Sequence, residues 1–289
     1  MAGGSTAAVA EALGWRVVRP YAGGEFGATL VEDARGGRAV LKAVPDGPAW
    51  TPAWAASVGL AERLRATGYP APRYLGTGTA AGHRYTIQEE MAGEVPDLLT
   101  GAHARQLLAL AERHAGMGAG PRAPHVPAWR DAVRDALGGT LRPERTALVR
   151  ASGPEAARLL DEVEALSGRL GGLALRSEDV VHGDFHHRNL LADGDRVTAV
   201  IDWEQAMPGD WRYDVLWLAF WCRADRRGVE PLAAELAGGH ADALVRPDER
   251  AVYAGLLTLR LLDLFAHLWP DRLTRAIGWC ESILAPSWR

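Results

Sequence analysis

Residues 181–202 read Val-His-Gly-Asp-Phe-His-His-Arg-Asn-Leu-Leu-Ala-Asp-Gly-Asp-Arg-Val-Thr-Ala-Val-Ile-Asp. Three oxygen-bearing side chains stand out by spacing: Asp184, Asn189 five residues later, and Asp202. Between the last two, Asp193-Gly194 separates Leu190-Leu191 from Val197-Thr198-Ala199-Val200-Ile201, a strong hairpin signal. A hairpin sends the chain out and returns it. Asn189, just before the first strand, and Asp202, just after the second, then come back to one open end, with Asp184 in the loop leading there. Hard oxygen donors that converge in this way suit Mg²⁺. The order also suits phosphoryl transfer: an Asp that orients or accepts the proton of an attacking hydroxyl, then an Asn and an Asp that hold the metal bridging phosphate oxygens. Asp184 is the expected base, and Asn189 and Asp202 the expected metal ligands. Taken singly, each would read as a solvated loop residue or a hairpin cap; the full spacing favours a site.

A second signal lies far upstream. Of 32 basic side chains one is a lysine, Lys42, and the rest are arginine. The Ala/Gly/Arg-heavy composition suggests a GC-rich coding bias. A lysine that survives it is a candidate for a role that a compact ammonium fills better than a planar guanidinium. Lys42 sits in Arg38-Ala39-Val40-Leu41-Lys42-Ala43-Val44, an otherwise apolar strand. A buried ammonium without an anion is costly, and a nucleotide phosphate would supply one. The competing reading is a surface lysine lying along apolar neighbours; its uniqueness tilts the balance to phosphate. Before it, Tyr21-Ala22-Gly23-Gly24-Glu25-Phe26-Gly27 is a turn between strands, in which Gly23, Gly24 and Gly27 let backbone N–H groups approach phosphates. Residues 88–93, Gln-Glu-Glu-Met-Ala-Gly, fall where the texture of the chain changes, and extended backbone there could pair with an adenine edge.

These residues need elements to position them. Strand patterns cover Trp15–Pro20, Ala28–Asp33, Arg38–Val44, Arg73–Gly78 and His83–Met91, with a helix over 51–67 stopped by Gly68-Tyr69-Pro70. After Gly93 the texture is helical: Ala102–Ala115, a helix opening at Ser152-Gly153-Pro154-Glu155 in a capping box, and further helices over 211–222, 248–268 and 271–284. The expected fold class is α+β with two lobes: a small antiparallel-β lobe over residues 1–91 and a larger α-helical lobe over 92–289, with a cleft between them.

Composition removes other classes. A net charge of −4 over 289 residues provides no basic stripe for nucleic acid. Two cysteines, Cys222 and Cys280, form no disulfide framework and fit a reducing cytoplasm. The first ten residues hold no Lys or Arg, so no secretory signal is read there. The longest purely apolar run, Val215–Cys222, is short of the ~20 residues of a membrane span. His182 and His186 are four apart, as in some zinc helices, but Gly183 and the lack of a Glu beside His182 spoil that motif. Gly76-Thr77-Gly78-Thr79-Ala80-Ala81 matches a dinucleotide fingerprint yet precedes a strand, and reads as a hairpin turn. Trp217 and Trp221, four apart on one helix face, read as core, whereas Trp203 and Trp211 are candidates to line a pocket. Glu204, Asp210 and Asp214 would either attract a cation or pin the helix at 211–222; for Asp214 the structural role is favoured.

With these residues in hand, the chain resembles the aminoglycoside phosphotransferase family, most strongly its hygromycin B phosphotransferases. The resemblance rests on His182-Gly183-Asp184-x4-Asn189, Ile201-Asp202-Trp203-Glu204, Gly209-Asp210-x3-Asp214 and Phe220-Trp221. It implies a two-lobed protein-kinase-like fold and an ATP- and Mg²⁺-dependent transfer of phosphate to a hydroxyl of a small molecule. The expected substrate is an aminoglycoside or other antibiotic, which could be cationic; the alternatives are a metabolite of amino-alcohol or sugar-amine type, and a nucleotide-binding protein without turnover. Carried over by position, Asp184 matches the base, Asn189 and Asp202 the metal ligands, Lys42 the phosphate-binding lysine, and Glu89 and Met91 the backbone positions for adenine. The family pairs its lysine with a helix glutamate. That position falls near Ser57 here, five residues from Glu62, so either Glu62 reaches by a shifted helix or the ion pair is missing.

Overall fold

The computed structural model describes residues 2–21, 27–46, 54–120, 126–140 and 143–285. In chain order the first elements are α1 (Ala2–Ala12), β1 (Arg16–Pro20), β2 (Thr29–Glu32), β3 (Arg38–Pro45), α2 (Trp54–Ala66), β4 (Tyr74–Ala80) and β5 (His83–Glu89). Then come α3 (Gly101–Glu112), α4 (Trp129–Leu137), α5 (Pro143–Ala151), α6 (Pro154–Leu166), β6 (Asp179–Val181), β7 (Leu190–Asp193) and β8 (Arg196–Val200). The chain closes with β9 (Met207–Gly209), α7 (Arg212–Ala224), α8 (Pro231–Leu244), α9 (Pro247–Leu268) and α10 (Leu273–Leu284). The fold is α+β, with the antiparallel sheet early and the helices late.

The chain forms two compact units. One holds Met1–Pro96, His182–Asp184 and Arg188–Met207; the other holds Asp97–Val181, Phe185–His187 and Pro208–Arg289. This differs from a single break between residues 91 and 92. The hairpin β7–β8, expected with the helical part, packs with the sheet-bearing part because its backbone is tied there. Ala192 and Glu94 exchange N–H···O bonds of 2.8 and 3.0 Å, and the Val200 N–H donates to the Pro70 carbonyl at 2.8 Å. The Thr198 hydroxyl adds a bond of 2.6 Å to the Ala92 carbonyl.

In the first unit the sheet order is β1-β2-β3-β5-β4, all antiparallel. Helix α1, which the sequence pattern did not reveal, lays Val9 and Ala10 against Val31, Ala39, Leu41, Ala43 and Ile87. Burial of this apolar face orders a short Ala-rich helix that has little stability alone. The β4–β5 turn is Ala81-Gly82, with φ of 48° and 73°. Gly76 and Gly78 therefore lie inside β4 rather than at the turn, and Gly78 sits against the ring of Tyr85. In the later hairpin Asp193 pairs with Arg196, so Gly194-Asp195 is the two-residue turn.

The second unit is built on α9, whose 22 residues are long and apolar enough to cross a membrane by length and composition. Here one face of it, with Val252, Leu257, Leu261 and Leu262, is buried, and it packs on α4, α5, α6 and α10. Gly255 makes that approach possible: a Cβ there would stand 2.8 Å from Leu166 and 3.0 Å from Leu137. Ser152 does not cap α6. Gly153 is the cap, Pro154 opens the first turn, and the Ser152 hydroxyl donates back to Leu148 at the end of α5.

Of the three acids read as either cation-attracting or helix-pinning, Asp210 and Asp214 are structural. Asp210 is fully buried and accepts Arg212 Nε at 2.9 Å, Arg212 Nη2 at 2.6 Å and the Tyr253 hydroxyl at 2.6 Å. Glu249 takes the other side of the same guanidinium at 3.0 Å. Asp214, also fully buried, faces His114 at 3.5 Å. Removing one partner from such a cluster strands the others. Asp210→Ala is therefore expected to lower unfolding free energy in urea by about 3–5 kcal/mol; a midpoint equal to wild type would show that the cluster does not hold the unit.

Candidate active site

The site assembles within the first unit. β3 carries Lys42 in register with Thr86 on β5. Lys42 is 8% exposed, and its Nζ donates to Asp202 Oδ1 and to Glu204 Oε2, each at 3.0 Å. The other oxygen of Glu204 accepts the Thr86 hydroxyl at 2.8 Å. Burial works against the ammonium, but the two carboxylates outweigh it and hold Lys42 above its ordinary value. Burial also works against ionised Asp202; Lys42 prevails, and its carboxyl lies below the usual range. For Glu204 burial dominates and pushes the carboxyl up against the pull of Lys42.

Asp202 leaves β8 in a left-handed conformation, φ 71° and ψ 51°, uncommon for a residue with a Cβ and tolerated best by Asp and Asn. The break ends the strand and starts the 3-10 turn Trp203–Gln205, so that residues 202 and 204 both reach Lys42. Across the mouth of the hairpin, the Ile201 N–H donates to the Asn189 carbonyl at 2.9 Å. Asn189 Nδ2 in turn donates to both the carbonyl and the carboxylate Oδ2 of Asp184, each at 2.9 Å. The structure thus brings Asp184, Asn189, Asp202 and Lys42 together. With the amide nitrogen of Asn189 turned to Asp184, its oxygen and the Asp202 carboxylate are the hard donors of the site, a set that fits Mg²⁺.

His182 fixes the loop. Its Nε2 lies 2.9 Å from the Ile201 carbonyl, and its Nδ1 accepts the Asp184 N–H at 3.2 Å, so the neutral ring with the proton on Nε2 satisfies both. With both nitrogens used on backbone, this ring is not a zinc ligand. Trp203, a candidate pocket wall by sequence, is core: fully buried, it donates to the Val200 carbonyl at 2.8 Å and packs on Tyr69 and His182. Trp211 is buried as well. In the second unit, Trp217 is buried and Trp221 half-buried against Phe220 and Trp279, while His187 faces Asp225 at 3.2 Å.

Of the glycines, Gly27 has φ 63°, whereas Gly23 and Gly24 lie outside the described residues. On either side of those residues, the Tyr21 N–H donates to the Ala28 carbonyl at 2.9 Å. Glu89 ends β5, its N–H given to the Arg73 carbonyl at 2.9 Å, and Met91 follows just beyond the strand. Glu90 between them accepts Tyr21 and Arg38, each at 2.9 Å. Glu62 does not pair with Lys42; its Oε1 accepts the Tyr74 N–H at 2.7 Å. Glu204, read from the sequence as attracting a cation or pinning the helix at 211–222, is the partner of Lys42, a role that sequence reasoning missed. The available signal was Lys42 itself: an ammonium in an apolar strand calls for a nearby anion, and Glu204 lies two residues beyond Asp202.

A sheet unit that gathers a lysine, two carboxylates and an Asp–Asn loop, joined to a helical unit, defines a phosphotransferase-like fold. The chain belongs to the APH phosphotransferase enzyme family, whose model matches residues 17–256. Hygromycin-B 4-O-kinase of Escherichia coli is 32% identical over 147 residues, which is 47% of this chain and 40% of that protein, so the match spans about two fifths of the relative's length. Among solved structures, a thermostable mutant of aminoglycoside phosphotransferase APH(4)-Ia in ternary complex with AMP-PNP and hygromycin B superposes with a TM-score of 0.69, at 22% identity and 99% coverage of both chains. Amicoumacin kinase hAmiN in complex with AMP-PNP, Ca²⁺ and Ami gives a TM-score of 0.59, at 13% identity over 94% of this chain and 88% of that one.

The loop geometry strains any side chain at Gly183. Its φ is 81°, and a Cβ would stand 3.1 Å from the Gln205 carbonyl oxygen. Gly183→Ala is expected to cost about 1–2 kcal/mol from the left-handed backbone alone, read as a lowered midpoint in thermal denaturation; an unchanged midpoint would mean that the loop adopts another path.

Proposed function

We propose that this protein transfers the terminal phosphoryl group of ATP to a hydroxyl of a small molecule, with Mg²⁺ as its metal, and that the acceptor is an aminoglycoside or another hydroxylated antibiotic. The observation that carries the reading is the single lysine, buried on β3 between Asp202 and Glu204, in the same unit as the hydrogen-bonded pair Asp184–Asn189. Lys42 binds nucleotide phosphate as a point charge. The amide oxygen of Asn189 and the carboxylate of Asp202 hold Mg²⁺, which when bound neutralises charge on the phosphoryl oxygens. Asp184, oriented by Asn189 Nδ2 and by the His182 ring through its own N–H, positions the acceptor hydroxyl and takes its proton as the new O–P bond forms and the bond from the γ-phosphorus to the bridging oxygen breaks, releasing ADP. The Gly23, Gly24 and Gly27 turn provides backbone N–H groups for phosphate, and the backbone at Glu89 and Met91 takes the adenine edge.

The names of the structural relatives, a hygromycin B complex and an amicoumacin kinase, support an antibiotic as the acceptor class. The complete set of Lys42, Asp184, Asn189 and Asp202 speaks against a nucleotide-binding scaffold without turnover.

The test is a panel of aminoglycosides, other hydroxylated antibiotics, amino alcohols and sugar amines incubated with ATP and Mg²⁺, with the gain of one phosphoryl group read by mass spectrometry. Asp184→Asn is expected to keep ATP binding and to lose on the order of 10²–10⁴ in turnover. Near-wild-type turnover in that variant would remove Asp184 from the mechanism, and transfer to the metabolites alone would replace the antibiotic as acceptor.

A further inference from the structure

Lys42 has more carboxylate than one ammonium needs. Asp202 and Glu204 both stand 3.0 Å from its Nζ, and their surroundings differ. The Asp202 side chain is 31% exposed, whereas that of Glu204 is 5% exposed. In the proposed reaction the carboxylate of Asp202 serves Mg²⁺, and oxygen density given to a divalent ion is withdrawn from the lysine. Glu204 is more deeply held: one of its oxygens is on Lys42, the other is on the Thr86 hydroxyl, and the carboxyl also shares a hydrogen bond with Asp202. Thr86 lies opposite Lys42 in the β3–β5 register, so the strand pair that carries the ammonium also aims its carboxylate. The acid on α2 does not compete, because Glu62 is bonded to the Tyr74 backbone.

We infer that Glu204 is the positioning residue for Lys42: a fixed, protein-facing carboxylate that keeps the ammonium aimed at the nucleotide phosphates whether or not metal occupies Asp202. The inference rests on the reading of Lys42 as a phosphate-binding residue. It makes Thr86–Glu204–Lys42 one unit, in which Thr86 orients the carboxylate and the carboxylate orients the ammonium.

Binding of ATP, measured by calorimetry in EDTA and again with saturating Mg²⁺, tests this directly. Glu204→Gln is expected to weaken ATP by about ten-fold, one decade of affinity, in both conditions. KM for ATP should rise more than kcat falls, and the Mg²⁺ concentration for half-maximal activity should stay as in wild type. In a Lys42→Met background, Glu204→Gln should have no further effect on ATP affinity. Thr86→Val, which preserves volume and loosens only the Glu204 carboxylate, should shift ATP affinity in the same direction by a smaller factor and guards against loss of folding in the charge variants. A raised Mg²⁺ requirement with metal-free ATP binding unchanged would make Glu204 a metal ligand and overturn the inference. An equal loss in the Lys42→Met background would make its role purely structural and would overturn the inference too. Wild-type protein that binds no ATP would overturn the phosphotransfer reading as well; wild-type binding with Glu204→Gln and Thr86→Val both unaffected would overturn this inference alone.

Discussion

A buried ammonium sets the terms for the sheet-bearing unit. β3 offers Lys42 no anion of its own, because its neighbours Leu41 and Ala43 are apolar. Charge in such a place persists only where carboxylates meet it with good geometry. Both partners come from about 160 residues further along the chain, brought by the β7–β8 hairpin and the turn that follows it. The hairpin must therefore dock on the first unit. Its backbone bonds to Pro70 and Glu94, and the Thr198 hydroxyl bond to Ala92, are the means. The left-handed Asp202 and the side-chain-free Gly183 follow from the same demand: the chain has to turn sharply enough to present residues 202 and 204 to one point, while Asp184 and Asn189 stay in reach of one another.

Much of this was legible because local rules and the global fold agree. Asp-Gly between two apolar runs specifies a tight hairpin, and a hairpin returns its ends to one place whatever surrounds it. The five strands of the sheet announced themselves by apolar runs bounded by turn residues, each within a residue or two of its observed limits. What stayed hidden depends on tertiary partners. Helix α1 is rich in Ala and Gly and shows no strong stripe; the sheet decides its fate. Ser152 had the type of a cap and Glu155 the spacing, but α5 runs to Ala151 and keeps the Ser152 hydroxyl, leaving Gly153 and Pro154 to open α6. Glu204 was ambiguous for the same reason: a carboxylate after a strand says nothing of the ammonium it meets until the sheet is assembled.

The acidic balance of residues 92–289 shows how a charge count along the chain misleads, since Asp184, Asp193, Asp195, Asp202 and Glu204 belong to the sheet-bearing unit. Counted along the chain, residues 92–289 hold more acidic than basic side chains, a balance that invites a cation on paper. Several of those acids never face solvent: Asp179, Asp210, Asp214 and Glu249 are all buried. Asp179 accepts the Gly116 N–H at 2.8 Å and pairs with Arg176; Asp210 and Glu249 share Arg212. Charges matched internally project little field outward, and what a ligand meets is the remainder. A cationic acceptor therefore draws no support from the total; any preference has to come from the side chains that line its pocket.

The survival of one lysine among 31 arginines can now be given a physical reason. An ammonium has three donors arranged about one atom, whereas a guanidinium spreads five over a planar fork that is suited to bidentate partners side by side. At residue 42 the two carboxylates belong to different turns of chain and converge on a single point, each 3.0 Å from Nζ. That arrangement uses two of the three ammonium donors, and in the proposed reaction the third is the one a phosphate oxygen takes. A fork at this position would have to lie across the strand pair, where Thr86 and the buried Glu204 already fill the space, and its width would separate the two carboxylates that the hairpin brings together. Codon bias can replace lysine wherever a positive charge suffices; where the geometry requires a point, it cannot.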